Sequence, residues 1–439
     1  MQYDAPVSSA QVAASLAADD SLSLHTRTAI ESALDLDSKS SVIVGAWDGQ
    51  SSEIDAPEGY VPELMIVNVD GQADGDGQGE GEAQTLAAAA RGRGPGGHDG
   101  DGPNHGGGPG HPGGPGGPGH PGGPGHPGHP GNPGHPGHPG HPGGGDDGDG
   151  DGDDGGGQPQ ELDLPPYAEV GTKAWIFNSE DDITVTFDAP YSDPERVIAM
   201  GEGNDNVTVN DDGDTTLDGG QGSDTLTTAG GDDLVVGGSG DDSISTGAGD
   251  DTVVSGQGAD TIDGGEGYDV VRLMGRAEDY EVSVEDGQIV LTNAWAADTS
   301  VTAANVEFIE LSQGSIAVAG NEEDATVLRL FQGLLGRDVE QQEAQQWLDA
   351  VGYGASAEDV ANELMSTDEF EALGDLSDEA FVDMLLDNAV GDAATEQDAQ
   401  QLVDQLAGGA DRASVVVSVV GSAEAAEHIV NVQILDGLV

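Results

Sequence analysis

Apolar residues return along this chain with three different periods, and each period predicts a different kind of element. Around residues 173–177 and 183–187 apolar and polar positions alternate on either side of an acidic turn at 180–182, the signature of two half-buried strands. Similar strand-like runs fall at 41–46, 63–69, 280–284, 289–292, 306–311 and 315–318. Between Met200 and Arg272 one aliphatic residue returns in each nine-residue unit: Val207, Leu217, Leu226, Val235, Ile244, Val253, Ile262 and Val271. Beyond Gly320 the spacing becomes helical, with Val327, Leu328, Phe331, Leu334 and Leu335 on one face, and further helices are predicted over 340–351, 357–365, 378–389, 396–406 and 412–420.

The nine-residue period carries the chemistry. Its eight units share Gly at position 4 (Gly203, Gly213, Gly222, Gly231, Gly240, Gly249, Gly258, Gly267), and seven have Asp at position 6 (Asp205, Asp224, Asp233, Asp242, Asp251, Asp260, Asp269). The second unit has Thr215 at that place and a carboxylate one residue earlier, at Asp214. A glycine-rich half can turn tightly, because Gly adopts positive φ without strain, and the remainder is a short strand with one inward side chain. Two units then make one coil of a parallel β-roll. That winding stacks Asp205, Asp224, Asp242 and Asp260 on one edge and Asp233, Asp251 and Asp269 on the other, at about 4.8 Å per coil. Carboxylates so close repel one another. A hard divalent cation taking six to eight oxygens, from Asp side chains and turn carbonyls, neutralises them, and calcium suits this flexible shell better than magnesium. Asp242 and Asp251, in mid-roll, are expected to matter more than Asp269, beside the downstream strands.

This pattern resembles the RTX, or haemolysin-type, calcium-binding repeat (GGxGxDxUx) over about seventy residues. The resemblance implies secretion by a type I exporter through an uncleaved C-terminal signal, and the stretch 428–439 (HIVNVQILDGLV) offers an amphipathic end for it. The first 24 residues lack a basic start and an apolar run of the kind a cleavable signal needs. No stretch approaches eighteen consecutive apolar residues, so no transmembrane segment is expected.

Composition narrows the partners. Asp plus Glu number 84 against 11 Lys plus Arg, a formal charge of -73, which excludes nucleic acid and anionic lipid as partners and favours cations. The absence of cysteine removes disulfides and thiolate chemistry. No HExxH, GxSxG or phosphate-binding glycine loop occurs, so no enzyme is expected and no catalytic residue is assigned.

Twelve Gly-X-Pro triplets run from Gly107 to Pro142, a collagen-like register that selects polyproline II and would span about 110 Å. An extended spacer is the favoured reading; packing between chains is the alternative. His at 111, 120, 126, 129, 135, 138 and 141 share one face of such a helix but lie about 9 Å or more apart, too far for neighbours to chelate one ion in a straight chain. The acidic run 146–154 lacks the closing Glu of an EF-hand and reads as a solvated linker.

The C-terminal segment repeats itself at a shift of 55 residues: Gly336 aligns with Gly391, Gly354 with Gly409 and Trp347 with Leu402. Leu330 to Asp338 (LFQGLLGRD), followed by Trp347, resembles an uncharacterised helical domain appended to RTX and surface-layer proteins, more clearly in the first copy than in the second.

The expected fold is mainly β. It comprises an N-terminal small domain or cap (1–70), a low-complexity tract (71–160), a β cap (161–199), the roll (200–272), a second β cap (273–320) and a helical domain (321–439). Whether 41–46 and 63–69 join the upstream cap, which would make the tract an insertion, stays open. The expected function is a secreted, calcium-folded structural protein of the bacterial exterior, as matrix, surface layer or fibre subunit. A calcium-dependent adhesin is the alternative, and a secreted hydrolase a third. The expected partners are calcium, the type I secretion machinery, and further copies of the chain in an oligomer or fibre.

Overall fold

The computed structural model describes residues 7–19, 22–50, 61–69, 159–165, 168, 171–188, 195–296 and 299–435. The Gly-X-Pro tract with its histidines, the acidic run 146–154 and the last four residues lie outside the described residues.

A short strand, β1 (Val7–Ser8), leads into helices α1 (Ser9–Ala18) and α2 (Leu24–Ala33), then β2 (Ser41–Val42), which pairs with β1. Next come β3 (Val44–Trp47), β4 (Leu64–Asn68), β5 (Gln160–Leu162), β6 (Ala174–Asn178), β7 (Ile183–Phe187) and β8 (Glu195–Ala199). The repeats supply β9 (Asn206–Val209), β10 (Asp214–Asp218), β11 (Thr225–Thr227), β12 (Leu234–Ser239), β13 (Ser243–Ser245), β14 (Thr252–Gln257), β15 (Ala259–Asp263) and β16 (Val270–Arg276). Then follow β17 (Tyr280–Glu285), β18 (Gln288–Asn293), β19 (Ser300–Ala304), β20 (Phe308–Gln313) and β21 (Ser315–Ala319).

From β3 to β16 the chain winds as a coil between two facing parallel sheets. One contains β3, β4, β6, β8, β10, β12, β14, β16 and β20 in that order; the other contains β5, β7, β9, β11, β13, β15 and β19. Within the repeats each strand pairs with the one a full coil later, as in Leu226 with Ile244 and Val235 with Val253. The position-8 aliphatics form a single buried file between the sheets. The strands expected to cover the roll's ends continue these same sheets. Upstream coils lack the glycine template and fill the interior with larger side chains, Trp175, Phe177 and Phe187. Strands β3 and β4 join through β4 to β6, so the tract between β4 and β5 interrupts a coil of one continuous sheet. At the far end β19 and β20 add one more coil, and the antiparallel strands β17, β18 and β21 close the edges.

The outer face of the larger sheet is covered at both ends. Val12, Leu16, Ile30 and Leu34 of the N-terminal helical segment pack on Leu64, Ile66, Ile176 and Val197. The C-terminal helices cover Val270, Phe308, Ala317 and Ala319. These helices are α3 (Glu322–Leu335), α4 (Gln341–Gly352), α5 (Ala357–Met365), α6 (Asp368–Glu371), α7 (Asp378–Ala389), α8 (Glu396–Ala407), α9 (Arg412–Val420) and α10 (Ala423–His428), followed by strand β22 (Val432–Ile434) against β21. The second four helices retrace the first four. Gly336 and Gly391, at matched helix ends, both take a left-handed backbone, as do Gly354 and Gly409. Part of the stretch 428–439 is therefore folded as β22, with Val432 and Leu435 buried.

Candidate metal centre

Each position-6 aspartate sits where a turn enters a strand, and all seven are at most 3% exposed. On one edge Asp205 donates its backbone N–H to Asp224 Oδ1 (2.8 Å), Asp224 to Asp242 Oδ1 (2.9 Å), and Asp242 to Asp260 Oδ1 (3.1 Å). On the other, Thr215 donates to Asp233 Oδ1 (2.7 Å), Asp233 to Asp251 Oδ1 (2.7 Å), and Asp251 to Asp269 Oδ1 (2.9 Å). One carboxylate oxygen of every rung is thus used to bind the coil before it, and the side chains fall into two columns, one per edge.

The second oxygens have no such use. Oδ2 of Asp205, Asp224, Asp233, Asp242, Asp251 and Asp269 is buried without a hydrogen-bond partner, an arrangement that costs several kcal/mol for a charged group left alone. Beside Asp224 and Asp242 the backbone leaves room. A Cβ on Gly219 would lie 2.5 Å from Asp224 Oδ2 and 2.7 Å from the Gly237 carbonyl oxygen. One on Gly237 would lie 2.6 Å from Asp242 Oδ2 and 2.5 Å from the Ser255 carbonyl oxygen. Carboxylate and carbonyl oxygens therefore converge on the bare face of a glycine. The donors are all hard oxygens, the set calcium takes. Among the described residues no three His, Cys, Asp or Glu side chains gather as a metal cluster, so turn carbonyls must complete any shell.

Three units carry a hydroxyl at position 1. The Thr228 and Thr246 hydroxyls donate to the next coil's carbonyls, those of Thr246 (2.9 Å) and Gly264 (2.7 Å), and the Ser255 hydroxyl donates to Asp260 Oδ2. There a side-chain hydroxyl occupies the space that glycine leaves open elsewhere.

Burial dominates the electrostatics. Loss of water pushes Asp205, Asp224, Asp233 and Asp242 from 3.8 up to about 7, and Asp269 up to about 8, while accepted N–H bonds pull the other way. Asp251 and Asp260 are raised for the same reason. Ionising these groups at neutral pH therefore opposes folding. A cation held between the rungs would remove that cost.

The glycines expected to shape the turns do so by close approach. Gly222, Gly231, Gly240, Gly249 and Gly258 all have positive φ, and a Cβ on Gly240 would lie 2.1 Å from the Gly222 carbonyl oxygen. Gly203 and Gly267 share the positive φ, and Gly213 is the one position-4 glycine without it.

Three features escaped the sequence reading. Asp214 does not stand in for the missing position-6 carboxylate: its Oδ1 accepts the N–H of Asp232 (3.0 Å), starting an outer ladder that continues from Asp232 to Asp250 and Tyr268. Short polar residues at position 5 were its available signal. Above Thr215, the paired position in β8 holds Arg196, whose buried guanidinium lies 2.6 Å from Asp211. Nothing local in the sequence marks that pair. At the opposite end of the same column Glu307, outside the nonapeptide register, accepts the Asp269 N–H (2.7 Å).

Residues 209–244 and 236–271 match the RTX calcium-binding nonapeptide repeat (4 copies), a repeat that binds calcium ions. Residues 361–429 match a domain of unknown function (DUF4214). That match spans the end of the first helical copy and most of the second, whereas the sequence likeness was strongest in the first. No protein with a curated description matches the chain. The chain thus shares with known families two short, separate stretches, one a repeat of calcium-binding type and one helical.

Proposed function

We propose that this is a secreted structural protein of the bacterial exterior whose β-roll folds on calcium and whose folded form assembles into a matrix, surface layer or fibre. The reading rests above all on the buried, unpartnered Oδ2 atoms of Asp224, Asp242 and Asp269, each facing a bare glycine, an arrangement costly without a cation. RTX repeats are typical of secreted proteins of Gram-negative bacteria, and among the described residues no helix is long and apolar enough to cross a membrane. The proposed calcium ligands are Asp205, Asp224, Asp233, Asp242, Asp251, Asp260 and Asp269, with carbonyls from turns shaped by Gly222, Gly231, Gly240, Gly249 and Gly258.

On this reading the ion gradient across the cell boundary sets the timing. Where free calcium is low, the carboxylate columns repel and the repeats stay open for a type I exporter. Outside, calcium bound only by the folded state stabilises it by mass action. Assembly is tested by light scattering and electron microscopy of the full chain with calcium and with chelator. Particles much larger than one chain, formed only in calcium, are expected. A protein that folds in calcium yet stays monomeric and binds cells would instead support adhesion.

A further inference from the structure

We propose that Asp269, Glu307 and the Asn305 carbonyl build a further divalent-cation site beyond the nonapeptide register, and that its ion secures the surface on which the helical domain sits. The inference rests on the calcium reading of the roll.

The geometry repeats that of the interior gaps part by part. At Gly237 the gap combines Asp242 Oδ2, the next coil's Ser255 carbonyl, and a rung in which Asp260 accepts the Asp242 N–H. At Gly264 a Cβ would lie 2.5 Å from Asp269 Oδ2 and 2.2 Å from the Asn305 carbonyl oxygen, and Glu307 Oε2 accepts the Asp269 N–H at 2.7 Å. Asp269 is 2% exposed and Glu307 7%, and Asp269 Oδ2 has no hydrogen-bond partner. The sequence hides this equivalence because the last turn is cut short. The chain reaches Glu307 two residues after Asn305, where the turn before runs from Gly264 to Asp269, and the longer Glu side chain restores the reach lost with the missing residues. Asn305 takes the left-handed backbone that glycine supplies in other turns.

The site's position gives it a second role. Glu307 directly precedes Phe308, buried in the apolar cluster shared with the C-terminal helices, and its carbonyl accepts the N–H of Val318 in β21 (2.9 Å). Tyr268, next to Asp269, packs in that cluster and donates its hydroxyl to the Gln341 carbonyl at the start of α4 (3.3 Å). An ion holding Asp269 against Asn305 and Glu307 therefore fixes both sides of the platform under the helices.

The test counts calcium ions bound to the full chain by equilibrium dialysis and follows helix unfolding at 222 nm in calcium. Glu307→Gln keeps an acceptor for the Asp269 N–H and removes the charge; one ion fewer than the parent and a lower helix unfolding temperature are expected. Should that variant not fold in calcium, Glu307→Asp decides, since it keeps the charge and shortens the reach that the cut turn demands, and the same loss of one ion is expected. A full complement at parental affinity in the deciding variant overturns the site. A parent chain that binds no calcium overturns the roll reading and this inference together, whereas a parent that binds calcium alongside an unchanged variant removes this inference alone.

Discussion

At the scale of single residues, the decisive groups are carboxylates placed where water cannot reach them. A carboxyl held at about 7 in the fold and near 3.8 in the open chain binds its proton more tightly when folded. The cation-free fold is therefore most stable below about pH 4 and loses that advantage as pH rises through about 7. In chelator, circular dichroism should show more β signal at pH 5 than at pH 8; the reverse order would contradict the burial of these groups. Glycines give a second residue-scale contrast. Gly240→Ala must carry a left-handed backbone, about 1–2 kcal/mol by itself, and it also meets the Gly222 carbonyl oxygen at 2.1 Å. Gly230→Ala has ordinary φ, and its nearest neighbour is the Ala248 carbonyl oxygen at 3.4 Å. Calcium titrations should show a midpoint raised several-fold for the first and little changed for the second. The carboxylate columns were legible in the sequence because position 6 recurs in seven of eight units. Glu307 was not, because a shortened turn breaks the register that reveals the others.

Among elements, the difference lies between coils that need the glycine template and coils that do not. Strands β6, β7 and β8 enclose Trp175, Phe177 and Phe187, with Arg196 5.2 Å from the Phe187 ring centre and paired with Asp211. That guanidinium supplies a built-in positive charge at the end of the column where Thr215 replaces Asp. Removing one partner of a buried pair costs about 3–5 kcal/mol. Asp211→Ala should lower the unfolding temperature in calcium while leaving the number of bound ions unchanged; loss of ions would show that Asp211 belongs to a calcium site. In the helical domain, Gly333 of α3 lies under α9, where a Cβ would come within 2.6 Å of Val420 Cγ1. Gly333→Val should destabilise the helices by about 1–3 kcal/mol through overpacking, read as a lower unfolding temperature at 222 nm with calcium binding intact. Most strands and the helices of both copies could be predicted because their apolar periods are long and regular. Helices α1 and α2 went unread although Ser8 and Ser23 cap them, their apolar positions being few and spread among alanines.

Across the whole molecule, a chain with a formal charge of -73 holds a narrow two-sheet core by lining its edges with carboxylates and covering the larger sheet with helices at both ends. The sequence alone suggested separate caps, because upstream and downstream strands lack the nonapeptide. Only the pairing of Val185 with Val207 and of Val271 with Ile309 shows that they wind on as coils of the same roll. This continuity revises the weight of Asp269, which sequence position had placed at the roll's end: a further coil follows it, and the Thr246 hydroxyl occupies the gap beside Asp251 while Gly264 leaves the gap beside Asp269 open. Calcium is the claim on which the account depends, and amide hydrogen exchange tests it most directly. The backbone N–H groups of Asp205, Asp224, Asp233, Asp242 and Asp251 each donate to the carboxylate of the next coil. In calcium at pH 7.5, about the pH where these carboxylates would otherwise resist ionisation, the amides should exchange slowly and together, and on chelation they should exchange as fast as an open chain. Equal protection in calcium and in chelator would contradict calcium-driven folding.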